Sequence, residues 1–289
     1  MDGIIVIDKE ENYTSRDIVN IIGKKYKTKK VGHTGTLDPL ATGVLVVCVG
    51  KATKIAELLT STDKEYIAEF QFGTLTDTLD ITGNILKDED SNITKESISN
   101  VLKSMLGVQD QTIPLYSAVK INGKKLYEYA RNGEDIELPT HKIEIKDIEL
   151  LDYKQNNKTS IKIRVLVSKG TYIRSLARDI GEKLNTYGTM TSLRRTKQGN
   201  FLIESAKKIN DVNDFDKLIP IEKCLTNYTK VIADELLTED LLDGKIISNI
   251  YGDTNILFCD NNNEAICLYK QYNKDTSKIK PWKMFKIRK

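Results

Sequence analysis

Histidine occurs only twice in the 289 residues, at His33 and His141, and tryptophan only once. The four cysteines, Cys48, Cys224, Cys259 and Cys267, include no Cys-x-x-Cys pair. Neither the spaced Cys/His ligands of a zinc site nor a disulfide framework is therefore expected, and no metal is assigned. Long apolar runs are also missing. The longest, Val44 to Val49, falls far short of the roughly 20 residues that span a bilayer. Met1 to Glu10 lacks the basic start and apolar stretch of a secretory signal, so the expectation is a soluble, cytoplasmic protein without membrane contact. Charge of one sign is scarce as well: 44 Lys plus Arg face 41 Asp plus Glu, a net +3, with 39% of the chain apolar. That balance excludes bulk disorder and leaves enough chain for one large or two unequal domains.

What is present alternates between strand and helix signals. Gly3 to Ile7 is a short apolar run suited to a buried strand. Ser15 is a candidate cap for a helix that places Ile18, Ile21, Ile22 and Tyr26 on one face. Ala52 to Leu59 looks helical, and Tyr66, Ala68, Phe70 and Phe72 alternate as one face of a strand. Thr94 to Met105 has Ile98, Val101, Leu102 and Met105 at helical spacing. Ile161, Ile163, Val165 and Val167 predict another strand, followed by a helix from Tyr172 to Leu184. From Thr229 the tail is small for a core of its own, and its stretches Ile246 to Ile250, Asn255 to Cys259 and Ala265 to Tyr269 are strand-like.

The segment from Gly32 to Gly43 holds three glycines and one proline in twelve residues and runs straight into Val44. Glycines allow close backbone approach to a ligand, and Pro39 biases Asp38 toward an extended conformation. Taken alone it is an ordinary turn. A nucleotide-binding P-loop is excluded, because Gly50-Lys51 is followed by Ala52 and Leu45 stands where the first glycine belongs. Basic residues cluster at Lys24 to Lys30, at Lys120, Lys124 and Lys125, at Arg194, Arg195 and Lys197, and in the tail to Lys289. Tyr116, Tyr127 and Tyr129 lie among the middle set. Rings beside ammonium groups suit RNA, where bases stack and phosphates pair with cations.

Several ordered stretches together resemble the TruB family, the tRNA pseudouridine-55 synthases. They are Gly3 to Lys9, the Gly32 to Gly43 loop, Lys64-Glu65-Tyr66, Pro114 to Lys120, Lys169-Gly170-Thr171-Tyr172-Ile173-Arg174-Ser175-Leu176 and Thr191 to Thr196. The resemblance implies an α/β (α+β) pseudouridine synthase fold with a mixed, mostly antiparallel central sheet. A small β-rich, PUA-like domain would follow it. The catalytic domain would cover residues 1–228, with a thumb-like RNA-binding insertion at about 111–140, and the PUA-like domain residues 229–289.

By the same resemblance the activity is isomerisation of the T-loop uridine of tRNA to pseudouridine, by base flipping, without metal, organic cofactor or guide RNA, by a monomer. Asp38 would be the nucleophile, Tyr66 would stack on the flipped uracil, and Arg174 would pair with Asp38. His33 would fill space left by the flipped bases. Tyr172 and Leu193 would line the uracil pocket, with Lys9 and Lys54 as basic residues near it. Lys120, Lys124, Lys125, Arg194 and Arg195 would contact RNA. Glu10, where proline usually follows Asp8-Lys9, and His141, where arginine commonly follows Thr140, depart from the family pattern. A non-catalytic tRNA-binding or folding chaperone on the same fold is the alternative.

Overall fold

The computed structural model describes every residue except Phe215 and Lys289. The chain opens with β1 (Gly3–Lys9), α1 (Ser15–Lys25), β2 (Val31–His33) and β3 (Thr42–Val49). A 3-10 turn (Gly50–Ile55) leads into α2 (Ala56–Thr60), then β4 (Lys64–Phe72) and the hairpin β5 (Thr74–Thr76) and β6 (Ile85–Asp88). Next come α3 (Lys95–Ser104), β7 (Gly107–Thr112), the small hairpin β8 (Lys120–Ile121) and β9 (Lys124–Lys125), and α4 (Leu126–Asn132). Then follow β10 (Thr140–Gln155), β11 (Thr159–Val167), α5 (Ile173–Lys183), β12 (Gly188–Gln198), β13 (Phe201–Leu202) and β14 (Lys207–Lys208).

Ten of these strands form one sheet in the order β14-β1-β3-β12-β4-β11-β10-β7, with β2 on β3 and β13 on β12. Only β1 with β14 and β3 with β12 pair in parallel, so the sheet is mixed and mostly antiparallel, as expected. The reason Val44 to Val49 is apolar at every position is that both faces of β3 are covered. Leu45, Val47 and Val49 pack with Ile18 and Ile22 of α1. Val44, Val46 and Cys48 pack on the opposite side with Leu257, Leu268 and Phe285. In β4, Tyr66, Ala68, Phe70 and Phe72 are buried while their neighbours are half-exposed, which is the alternation the sequence carries.

Local chemistry moves some boundaries. α1 is capped by Thr14, whose hydroxyl accepts from the Asp17 N–H while the Asp17 carboxylate accepts from the Thr14 N–H. Ser15 is buried instead and binds a loop described below. The Ala52 to Leu59 segment splits into a 3-10 turn and a short helix. Gly50, at φ +63, turns the chain directly off β3, and the Thr53 hydroxyl donates to Gly50 O at 2.7 Å.

The tail forms a second sheet of β15 (Thr229–Ile232), β16 (Ile247–Ser248), β17 (Asn255–Cys259), β18 (Ala265–Gln271) and β19 (Lys278–Met284), ordered β15-β17-β18-β19-β16. A helix at Glu235–Leu242 and the strand β15 were not apparent from sequence. Ile246 to Ile250 contributes only a two-residue edge. No helix among the described residues is long and apolar enough to cross a membrane.

Candidate active site

The Asp38 loop feeds β3, and β12 lies between β3 and β4. Parallel pairing sets Arg194 beside Thr42 and Arg195 beside Gly43, while antiparallel pairing sets Arg195 beside Tyr66. Three chain segments distant in sequence are thereby fixed at one point of the sheet.

The loop is tied from below by groups that the sequence scatters widely. Ser15 Oγ accepts from the Leu37 N–H at 2.9 Å and donates to Leu37 O at 3.1 Å. Lys9 is fully buried and donates from Nζ to the carbonyls of Glu10, Tyr13 and Pro39. Burial pushes the Lys9 ammonium down to about 8, with Asp38 opposing the shift. Arg195 donates from Nε to Val44 O at 2.6 Å and from Nη2 to Gly35 O at 3.0 Å. Gly43, at φ +99, lets β12 approach: a Cβ there would meet Arg195 O at 2.2 Å. Gly43→Ala is accordingly expected to destabilise the fold by about 3 kcal/mol or more. An unchanged urea midpoint would refute this account of the junction.

Above the loop, Asp38 Oδ2 meets Arg174 Nε at 3.0 Å; the Asp38 side chain is 38% exposed and that of Arg174 8%. Arg174 sits in the first turn of α5, which the apolar Ile173, Leu176, Ala177 and Ile180 dock against the sheet. Both terminal nitrogens donate as well. Nη1 donates to Thr78 O at 2.9 Å, Nη2 to Tyr116 O at 3.1 Å, and Nε lies 3.7 Å from Asp80 Oδ2. Asp80 was not singled out from sequence. It sits in the tight turn between β5 and β6, where its Oδ1 accepts from the Thr78 hydroxyl and from the N–H and hydroxyl of Thr82. The only available signal was the Asp/Thr/Gly-rich stretch from Asp77 to Gly83, which reads as an ordinary turn.

A cavity of about 760 Å³ opens beside this ion pair, lined by Asp38, Tyr66, Tyr172, Arg174 and Leu193, with Lys64, Lys169 and Arg195 contributing positive charge. Burial raises the Tyr172 hydroxyl above its ordinary value, with Ser117 and Arg174 acting the other way. Lys64 is pushed down to about 8 by burial, then by Arg195. Its ammonium donates to the carbonyls of Thr60 and Thr62. Two rings, an aliphatic side chain and an ion-paired carboxylate can hold a flat polar ring against a nucleophile.

Of the residues expected at the site, the structure brings Asp38, Tyr66, Tyr172, Arg174 and Leu193 together. His33 ends β2, its Nδ1 accepting from the Gly35 N–H at 3.3 Å, and is not in the cavity wall. Burial, then Arg16 and Arg195, lower its pKa, which favours a neutral ring. Lys9 lies beneath the Asp38 loop but is sealed from solvent. Lys54 is not in the cavity wall; its Nζ donates to Met284 O at 2.5 Å, tying the turn after β3 to β19 of the second sheet.

Arg195, expected to contact RNA, is instead buried at 1% exposure, with Nε and Nη2 given to carbonyls of the Asp38 loop and β3. Arg194 is held in a two-pronged pair with Asp8 at 3.0 and 2.8 Å. Lys124 pairs with Glu134 and covers Tyr129, Lys125 donates to the Tyr127 hydroxyl, and Lys120 is exposed. Lys289 lies outside the described residues. No group of carboxylate, histidine and cysteine side chains suited to a metal occurs among the described residues.

Residues 23–173, just over half of the chain, match the family model described as TruB family pseudouridylate synthase, N-terminal domain. The chain belongs to the TruB family. The TruB match continues over residues 174–227 with the tRNA pseudouridylate synthase B C-terminal domain. The tRNA pseudouridine synthase B of Clostridium tetani is 45% identical over 248 residues, covering 84% of this chain and 85% of the relative. That of Bacillus cytotoxicus is 38% identical over 298 aligned positions, covering 98% and 97%. Among solved structures, the archaeal box H/ACA sRNP Nop10-Cbf5 complex superposes with a TM-score of 0.70 at 23% identity, over 99% of this chain and 86% of that one. An H/ACA RNP bound to a substrate RNA containing 2'-deoxyuridine gives 0.71 at 23%, over 99% and 84%. These likenesses give the TruB chain its fold.

Proposed function

We propose that this TruB chain is a stand-alone tRNA pseudouridine synthase that isomerises the T-loop uridine. The observation that carries it is the Asp38–Arg174 ion pair, 3.0 Å long, at the wall of an aromatic-lined cavity large enough for a nucleobase. The reaction breaks the C1'–N1 bond of uridine, turns the detached ring, and joins its C5 to C1'. N1 gains a proton and C5 loses one to solvent, so no redox group or metal is required for balance. Asp38 supplies the nucleophilic oxygen, Tyr66 stacks on the ring and takes the C5 proton, and Tyr172 and Leu193 hold the remaining faces. His33 packs in the space left by the flipped bases.

Residues 1–228 form the catalytic domain in this scheme, with residues 111–140 as a thumb over the RNA, and residues 229–289 a PUA-like RNA-binding domain. Lys120, Lys124, Lys125 and Arg194 are the thumb and rim cations available to the tRNA backbone. Flipping a stacked uridine costs a few kcal/mol, which contacts to the T arm offset. The protein works as a cytoplasmic monomer without a guide RNA. The intact ion pair favours an enzyme over a non-catalytic binder, because a binder has no use for a guanidinium committed to one half-exposed carboxylate.

Pseudouridine mapping on an unmodified T-arm stem-loop incubated with the purified chain alone tests the proposal. Modification at the T-loop uridine and nowhere else is expected. Modification that needs an added RNA or protein contradicts it.

Lys169 is exposed at the cavity rim and has no ion-pair partner among the described residues. Lys169→Ala is expected to weaken tRNA binding and to reduce the slope of log affinity against log salt by about 0.7 to 0.9, the value of one phosphate contact. An unchanged slope would place Lys169 off the RNA.

A further inference from the structure

Three buried side-chain polar atoms have no hydrogen-bond partner among the described residues: Ser117 Oγ, His141 Nδ1 and Gln198 Oε1. Ser117 and His141 both line the cavity that holds Asp38. Native proteins keep very few such atoms, because an unpaired buried polar group loses its hydration without replacement. Two on one cavity wall indicate that the cavity is completed by a polar ligand.

Ser117 is the better defined of the two. It is 6% exposed, and its backbone is fixed at the root of the insertion. Its N–H donates to Leu115 O at 3.0 Å, and its carbonyl accepts from the Tyr127 N–H at 3.1 Å. The preceding residue, Tyr116, gives its carbonyl to Arg174. The one neighbour within hydrogen-bonding range is the Tyr172 phenol, whose pKa the Ser117 hydroxyl lowers as a hydrogen-bonding group, but the angles of that contact fall short of a formed hydrogen bond.

Several other polar side chains of the wall already have partners within the protein. Asp38 and Arg174 face each other, Arg195 serves Val44 and Gly35, and Lys64 serves Thr60 and Thr62. Tyr66, Tyr172 and Leu193 can cover the faces of a flat ring, whose edge then falls to polar groups of the wall such as Ser117.

We infer that Ser117 is a substrate-binding residue whose hydroxyl hydrogen-bonds the polar edge of the flipped pyrimidine. This rests on the proposed uridine isomerisation. The insertion thereby supplies part of the base pocket as well as phosphate contacts, and the base is held correctly only when the insertion root is seated on Arg174.

The test measures single-turnover pseudouridine formation at saturating tRNA, with thermal unfolding of the free protein, for wild type, Ser117→Ala and Ser117→Thr. Ser117→Ala is expected to slow the single-turnover rate roughly tenfold, without lowering the melting temperature, since it removes an unpaired hydroxyl. Ser117→Thr retains the hydroxyl and is expected to recover most of the rate.

An unchanged rate in Ser117→Ala overturns the inference while leaving the isomerase proposal intact. A rate loss accompanied by a lower melting temperature and no rescue by threonine also overturns it, because Ser117 would then be bonded within the protein, to Tyr172. An inactive wild type removes the isomerase proposal and this inference with it.

Discussion

Turnover is expected to vanish in Asp38→Asn, falling by about 10⁴-fold or more, while tRNA affinity stays within about tenfold of wild type. Asparagine matches aspartate in size and can still accept from Arg174 Nε through its amide oxygen. The Ser15 and Lys9 contacts that hold the loop go to backbone carbonyls and amides rather than to the Asp38 side chain. What is lost is the nucleophilic oxygen, because an amide cannot attack carbon and leave again under these conditions. Binding depends mainly on phosphate contacts spread over a wide surface, to which one half-exposed carboxylate contributes little. Gel-shift affinity and tritium release measured on the same preparation separate the two effects. Retained turnover in Asp38→Asn would remove Asp38 as nucleophile.

The second large effect concerns Arg174. Its guanidinium faces two carboxylates, Asp38 and Asp80, and two carbonyls, Thr78 O and Tyr116 O. The side chains of Arg174 and Asp80 are both 8% exposed. Arg174→Met therefore strands a buried negative charge and two carbonyl oxygens together. The expected loss is about 3–5 kcal/mol of stability, with no measurable turnover. Arg174→Lys keeps the charge but offers a single ammonium in place of a planar fork, so it cannot reach four acceptors at once. It should fold, and its turnover should fall by about 10²-fold through misplacement of Asp38. Wild-type turnover in Arg174→Lys would mean that charge alone suffices and that the fork geometry is incidental.

The fold was legible where period and burial coincide. The alternation of Tyr66 to Phe72 and of Ile161 to Val167 marks central strands, and the uninterrupted Val44 to Val49 run marks a strand covered on both faces. Asp38, Tyr66, Tyr172, Arg174 and Leu193 were singled out from ordered motifs, and the sheet order shows why they meet: β12 lies between the strand that the Asp38 loop feeds and the strand that starts near Tyr66.

Other parts were not legible because they depend on pairing between distant segments. Arg195 reads as surface charge, yet it points inward from a central strand and serves carbonyls of the Asp38 loop, some 150 residues earlier. Lys54 reads as a basic group near the site, and only docking of the second sheet shows that it holds Met284 O. Asp80 sits in a turn whose composition signals nothing more than a turn, and its importance comes from the arginine it faces. β15 and the helix at Glu235–Leu242 escaped notice because a small domain offers short, weakly periodic segments.

The most direct test of the central claim is tritium release from unmodified tRNA labelled at C5 of uridine, with the purified chain and no added metal, cofactor or guide RNA. Release of one equivalent per tRNA is expected with wild type. It should be absent with Asp38→Asn and absent when the T-loop target uridine is replaced by cytidine. Tight binding of the unmodified tRNA without release, or release that survives the cytidine replacement, would contradict the assignment of this cavity to T-loop uridine isomerisation.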